Sequence, residues 1–366
     1  MPFIIDAHED LAYNILNFGR DYRRAAEETR QLEASTPIPE QAEGQALIGW
    51  PNYQRGQVAV IFGTLFVSPK KYSHDAWEKQ VYATPQEAHK LHSAQIDVYE
   101  RLCEGDPDKF QLVRNRTELS NVLKPWQETP AAYPLVTHPV GIVMLMEGAE
   151  GVAAPANLEE WWERGVRLIG PVWAGGRYFG GTKEPGPMTS EGRDLLSKMA
   201  ELGFILDISH MSEESVLQAL DFYPGTVVAS HANCKALLKN FPNQRHFTDE
   251  AVRGLVERGG VMGVVLFNFF LLPEWRMDHR REEVTLDLVV AQIDHICQIA
   301  GDARHVAIGT DFDGGYGWPA VPLEIDTIAD LQKLAPRLAQ RGYNDADVAA
   351  IFGTNWQHML EGSLPK

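Results

Sequence analysis

The chain has 366 residues, 44% of them hydrophobic and 23% charged, the profile of a folded protein with a sizeable core rather than of a disordered segment. A formal net charge of −17 argues against nucleic acid and anionic membrane as partners, because both demand a basic surface. Three scattered cysteines without a CxxC pair, no basic-then-apolar leader, and no apolar run near the ~20 residues of a membrane span lead to the expectation of a cytoplasmic protein.

Along the chain, short apolar runs alternate with segments of helical periodicity, the pattern of an α/β fold. Eight runs read as buried parallel strands: residues 3–6, 58–66, 141–146, 166–169, 204–208, 226–229, 261–267 and 305–308. The stretch 11–57 after the first is polar and mostly helical. The stretch 68–138 after the second holds the helical segment TPQEAHKLHSAQIDVYERL and an extra strand at 110–113. Between later strands, residues 191–202 form a helix closed by Gly203, and 212–220 opens at Ser212 with Glu213 and Glu214, acidic residues suited to a helix N-terminus. Helices are also expected at 248–256 and at 286–299, where Leu288, Val289, Ile293, Ile296 and Ile299 share one stripe. Eight β/α alternations predict a (β/α)8 TIM barrel of the metal-dependent hydrolase type. It is a single domain over 1–366, with helical excursions after strands one and two.

The metal-capable residues fall at the ends of these strands. Strand one runs into His8 and Asp10, strand three into Glu147, strand five into His210, strand six into His231 and strand eight into Asp311 and Asp313. Strand C-termini meet at one face of a barrel, so five strands deliver three imidazoles and several carboxylates into one bowl. Zinc accepts such ligands, and a carboxylate can bridge two ions. Taken singly, each residue has a plainer explanation. A lone His after a strand is commonly a satisfied loop residue, and Asp10 could cap the helix that follows. Glu147 could be an exposed turn residue, and Asp311 and Asp313 simple turn formers. Their common location at one end of the barrel favours the metal centre.

The motifs DAHEDL, MLMEGAEG, GPMTSEGRDLLSKMAELGFILDISHMS, ASHANCKAL, NQRHFTDE, GVMGVVLFN, AIGTDFDGG and IFGTNWQHML make the chain resemble the membrane dipeptidase (renal dipeptidase) family, peptidase family M19, of the amidohydrolase-like barrels. An HxD pair stands where most amidohydrolases carry HxH. The resemblance implies two zinc ions per chain, one on His8 and Asp10, the other on His210 and His231, with Glu147 bridging. It implies Asp311 as the acid/base and Arg245 as the residue gripping the substrate carboxylate. It also implies that the chain can form a homodimer. One position departs from the pattern. The segment Arg167-Leu-Ile-Gly-Pro-Val-Trp173 puts Trp173 where the family has a substrate-binding His at the end of strand four.

Zinc-dependent hydrolysis of dipeptides is therefore expected, by a hydroxide shared between the metals, with Asp311 moving the proton. Two Zn²⁺ are offset in charge by Asp10, Glu147, Asp311 and the hydroxide, so an anionic substrate end needs its own cation, and Arg245 can pair a carboxylate bidentately. Trp173 leaves a second expectation open, a different small amide, lactam or cyclic substrate. A third is a catalytically inactive metal-binding protein, against which the intact Asp311 argues.

Overall fold

A computed structural model of the protein describes residues 1–74, 76–277 and 281–366. Eight parallel strands carry the architecture: β1 (Ile4–Glu9), β2 (Val58–Phe66), β3 (Val140–Glu147), β4 (Val166–Gly170), β5 (Ile205–Asp207), β6 (Val227–Val228), β7 (Met262–Val264) and β8 (Val306–Ile308). Each pairs with its neighbours in sequence except β6 with β7, which share no ladder, and β1 lies between β2 and β8. Strand β2, Val-Ala-Val-Ile-Phe-Gly-Thr-Leu-Phe, is apolar almost throughout and buried on both faces, as a parallel strand between a barrel interior and an outer helix layer must be. It runs in register with β3 from Val60–Gly141 to Phe66–Glu147.

Between β6 and β7 the barrel closes on a narrow seam. One residue pair, Ala229 and Met262, bridges them, with hydrogen bonds from Ala229 N to the Val261 carbonyl (3.0 Å) and from Gly263 N to the Ala229 carbonyl (2.8 Å). Asn233, fully buried, extends the seam with its side chain. Its Oδ1 accepts from Val265 N (3.0 Å) and its Nδ2 donates to the Val265 and Phe270 carbonyls (3.2 and 2.9 Å).

The helix Ser190–Leu202 shows how the outer layer is specified. Thr189 caps it by accepting from Gly192 N, and Gly203 ends it at φ 86°, a left-handed conformation costly for any residue with a Cβ. Leu195, Leu196 and Met199 form its buried face, each contributing about 1.5–3 kcal/mol by leaving water. The excursion after β1 contains the helices Leu11–Phe18, Ala26–Glu33 and Trp50–Gly56. The one after β2 contains Pro85–Gly105 and Arg116–Glu128. The extra strand expected at 110–113 is present as Phe110–Leu112 and pairs with the first residues of β3.

Candidate metal centre

The side chains expected at the strand ends converge. His8 in β1 and Asp10 just past its end, two residues apart along an extended run, face the same side, with His8 Nε2 3.7 Å from Asp10 Oδ2. Glu147, the last residue of β3, turns Oε2 to His8 Nε2 at 3.6 Å and Oε1 to His210 and His231 Nε2 at 2.8 and 3.5 Å. Asp311 Oδ1 lies 3.7 Å from His8 Nε2. Among the described residues, three groups have ligand atoms close enough to share one ion: His8, Asp10 and Glu147; Glu147, His210 and His231; and His8, His231 and Asp311.

Neighbouring hydroxyls determine which imidazole nitrogen carries the proton. Ser230 Oγ donates its only hydrogen to Asp207 Oδ2, so at 2.7 Å from His231 Nδ1 it accepts from that nitrogen. Thr182 Oγ1 lies 3.0 Å from His210 Nδ1 and donates to the His210 carbonyl at 3.3 Å, which gives the same tautomer. Both rings then present Nε2 lone pairs, 3.0 Å apart and both beside Glu147 Oε1. Lone pair against lone pair against carboxylate is repulsive unless a cation lies among them, and Nδ1–H held by an outer partner is how a metal-binding imidazole is usually oriented. His8 Nδ1 and Asp10 Oδ1 are also buried without a partner. The donor set fits divalent metal.

Electrostatics agree. Burial holds the Glu147 carboxyl up at about 8 and Asp311 up at about 7, their carboxylate neighbours adding to it. Burial alone would depress His8, but Glu147, Asp10 and Asp311 outweigh it and hold the imidazole at about 10. His210 and His231 are driven well below the usual imidazole range, by burial first and then by nearby cations. Several acids packed this closely cannot all ionise without cations among them.

The cluster forms the floor of a cavity of about 380 Å³ whose wall includes Arg245, Trp173, Phe267, Phe269 and Phe270. Arg245 is 2% exposed. Its guanidinium donates to the Ser209 and His231 carbonyls at 3.1 and 2.7 Å, its Nε is unpartnered, and burial lowers its pKa. Trp173 lies three residues past β4, its ring centroid 6.2 Å from that of His210.

Two of the plainer explanations fail on geometry. Asp10 occupies the position before the helix Leu11–Phe18, yet its side chain makes no capping hydrogen bond, and Glu147 is 5% exposed rather than a surface turn residue. Asp313 does turn away from the bowl. It accepts from Leu47 N (2.8 Å) and Tyr22, and pairs with Arg20 at 3.1 Å. Asp311 and Asp313 both take left-handed backbone, φ 62° and 61°, which Asp tolerates better than most residues. Gly314 is required beside them, since a Cβ there would meet Asp311 Oδ1 at 2.1 Å. Sequence reasoning passed over Ser230, Thr182 and Asp207. A cue was available for the first, because Ser-His occurs at both strand ends, as 209–210 and 230–231.

Comparison with known proteins adds the following. The family model described as membrane dipeptidase (peptidase family M19) matches residues 2–362. An uncharacterised dipeptidase of Schizosaccharomyces pombe is 28% identical over 361 residues, 96% of this chain and 78% of that protein. An uncharacterised protein from the pqqA 5′ region of Klebsiella pneumoniae is 33% identical over 233 residues, 61% of this chain and 82% of that one. Among solved structures, a Rhodobacter sphaeroides metallopeptidase liganded with a phosphinate mimic of L-Ala-D-Ala superposes with a TM-score of 0.76 at 22% identity, over 99% of both chains. The probable dipeptidase PvdM of Pseudomonas aeruginosa gives 0.77 at 18%, over 98% of this chain and 95% of that one. At such identities the two structures speak to the fold alone.

Proposed function

The chain belongs to the membrane dipeptidase family, peptidase family M19, and from that premise we propose that it hydrolyses dipeptides with two zinc ions per chain. The observation that supports this best is the convergence of His8, Asp10, Glu147, His210 and His231 beside Asp311, all but His8 lining one cavity with Arg245. His8 and Asp10 would hold one ion, His210 and His231 the other, and Glu147 would serve both through its two oxygens. Zinc so held supplies Lewis acidity, polarising the scissile carbonyl and bringing the pKa of a water down toward neutrality.

The remaining chemistry belongs to the chain. Asp311, buried with its Oδ1 3.7 Å from His8 Nε2 and lining the cavity, is placed to take a proton from the attacking water and pass it to the departing amine. Arg245 spends two N–H groups on backbone carbonyls, and these fix its plane. The rest of the guanidinium is left for the substrate carboxylate, an anion that would relieve a buried, depressed cation. Phe267, Phe269, Phe270 and Trp173 exclude water around the scissile bond.

Trp173 supports a second reading. It presents an indole where the resemblance places an imidazole, which favours a flatter or more apolar amide, lactam or cyclic substrate. A panel of L,L- and L,D-dipeptides, C-terminal amides and lactams, tested on zinc-reconstituted protein, decides between them. Turnover of free dipeptides with loss of activity on the amidated ones is expected, whereas turnover of lactams or cyclic amides alone would transfer the assignment to the second reading.

A further inference from the structure

Among the described residues lining the cavity, two are permanent cations, Arg245 and Lys183. Arg245 is taken up by the proposed mechanism, and Lys183 is not. Its Nζ lies 4.5 Å from the ring centroid of Tyr72 and 4.8 Å from that of Trp173, two rings that also line the cavity and favour an ammonium on their faces. Its backbone is tethered, with Thr182 N donating to the Trp173 carbonyl (3.1 Å) and Lys183 N to the Ala174 carbonyl (2.8 Å). The residue before it, Thr182, orients His210.

Among the described residues this ammonium is placed but forms no ion pair. The adjacent carboxylate, Glu184, is claimed by Lys71 at 2.6 Å and by the Tyr72 hydroxyl. Glu43, on the excursion after β1, is the acid whose charge reaches Lys183 across the mouth, without forming an ion pair with it. Partial burial lowers the ammonium's pKa more than Glu43 raises it, so an anion arriving in the cavity would meet a cation that gains from a partner. The two cations also stand on different walls. Arg245 lies over Phe270, 5.3 Å from its centroid, while Lys183 belongs to the wall of Tyr72, Trp173 and Phe66, whose ring is 5.2 Å from Trp173.

We propose that Lys183 is a specificity-determining residue that takes an acidic side chain on the first residue of the substrate, so that dipeptides beginning with Glu or Asp are preferred. The proposal rests on the dipeptidase reading, in which Arg245 holds the C-terminal carboxylate at the other wall. The substrate is then dianionic, each anion answered by its own cation.

The test compares kcat/KM for glutamyl-alanine with that for its neutral isostere glutaminyl-alanine, using zinc-reconstituted protein. Wild type should favour the acid roughly tenfold or more, the weight of one charge-assisted contact at a partly desolvated site. In Lys183→Met the ratio should fall to roughly 1, and in Lys183→Arg most of it should remain, since the charge is kept. A wild-type ratio near 1, a ratio unmoved in Lys183→Met, or discrimination confined to alanyl-glutamate over alanyl-glutamine would each overturn the assignment. If no dipeptide turns over, the dipeptidase reading fails and calorimetry examines Lys183 separately. L-glutamate binding more tightly than L-glutamine, with the difference lost in Lys183→Met, supports the role, and equal affinities refute it.

Discussion

Ser230 carries the most information per atom in the site. By donating to Asp207 and accepting from His231 Nδ1, it turns a ring of undecided tautomer into a ligand with its lone pair aimed inward. Ser230→Ala is expected to weaken zinc binding roughly 10–100-fold, the range seen when such outer partners are removed, and competition against a chromophoric chelator would measure it. Asp311 is predicted to divide binding from chemistry. Asp311→Asn should keep its zinc while kcat drops roughly 10²–10⁴, and an unchanged kcat would remove Asp311 from proton transfer. The positions of His8, Asp10, Glu147, His210, His231 and Asp311 were legible because each follows an apolar run that could only be a strand. The strand-end pattern alone did not separate Asp311 from Asp313, and it was the family resemblance that singled out Asp311. The two share one backbone conformation, and only the distant Arg20, Tyr22 and Leu47 decide which of them faces the cavity.

Among the elements, the strands were the easiest to read. Residues 58–66 coincide with β2, and the other seven runs overlap their strands, because a parallel strand buried on both faces has few polar residues to confuse its ends. The short strands β6 and β7 were read too long, since side-chain and loop contacts take over from the ladder there. The excursions resisted for another reason, which is that their packing is settled by charges far apart in sequence. Arg20 pairs with Glu33 at 2.9 Å and with Asp313 at 3.1 Å, all three at most 5% exposed, and so ties the first excursion to the loop after β8. Arg20→Met would leave two carboxylates buried without a cation. A loss of about 3–5 kcal/mol is expected, visible as an earlier midpoint in urea. An unshifted midpoint would mean that water reaches these acids and the tie is superficial.

At the scale of the whole molecule, the residues of the candidate centre come from β1 and β3 and from the segments just after β1, β5, β6 and β8, so ions there would act on most of the barrel circumference together. A ligand that binds only the folded state stabilises it by about 4 kcal/mol when a thousandfold above its dissociation constant. Chelation should therefore lower Tm by several degrees and zinc should restore it; a Tm indifferent to chelator would speak against metal held by the native fold. No helix among the described residues is long and apolar enough to cross a membrane. The barrel's weakest circumferential joint has its own remedy. Where β6 and β7 share a single bridging pair, Asn233 offers one carbonyl and one amide group to the chain opposite, standing in for a peptide unit that the short strand does not supply. The ladder is thus continued by a group that mutation can delete without breaking the chain, as no true backbone rung can be. Asn233→Ala would strand the Val265 N–H and its carbonyl in the interior at about 1–3 kcal/mol each. The amide proton of Val265 should then exchange with solvent far sooner than those of β2 and β3, so that a side chain sets how often this wall of the barrel breathes.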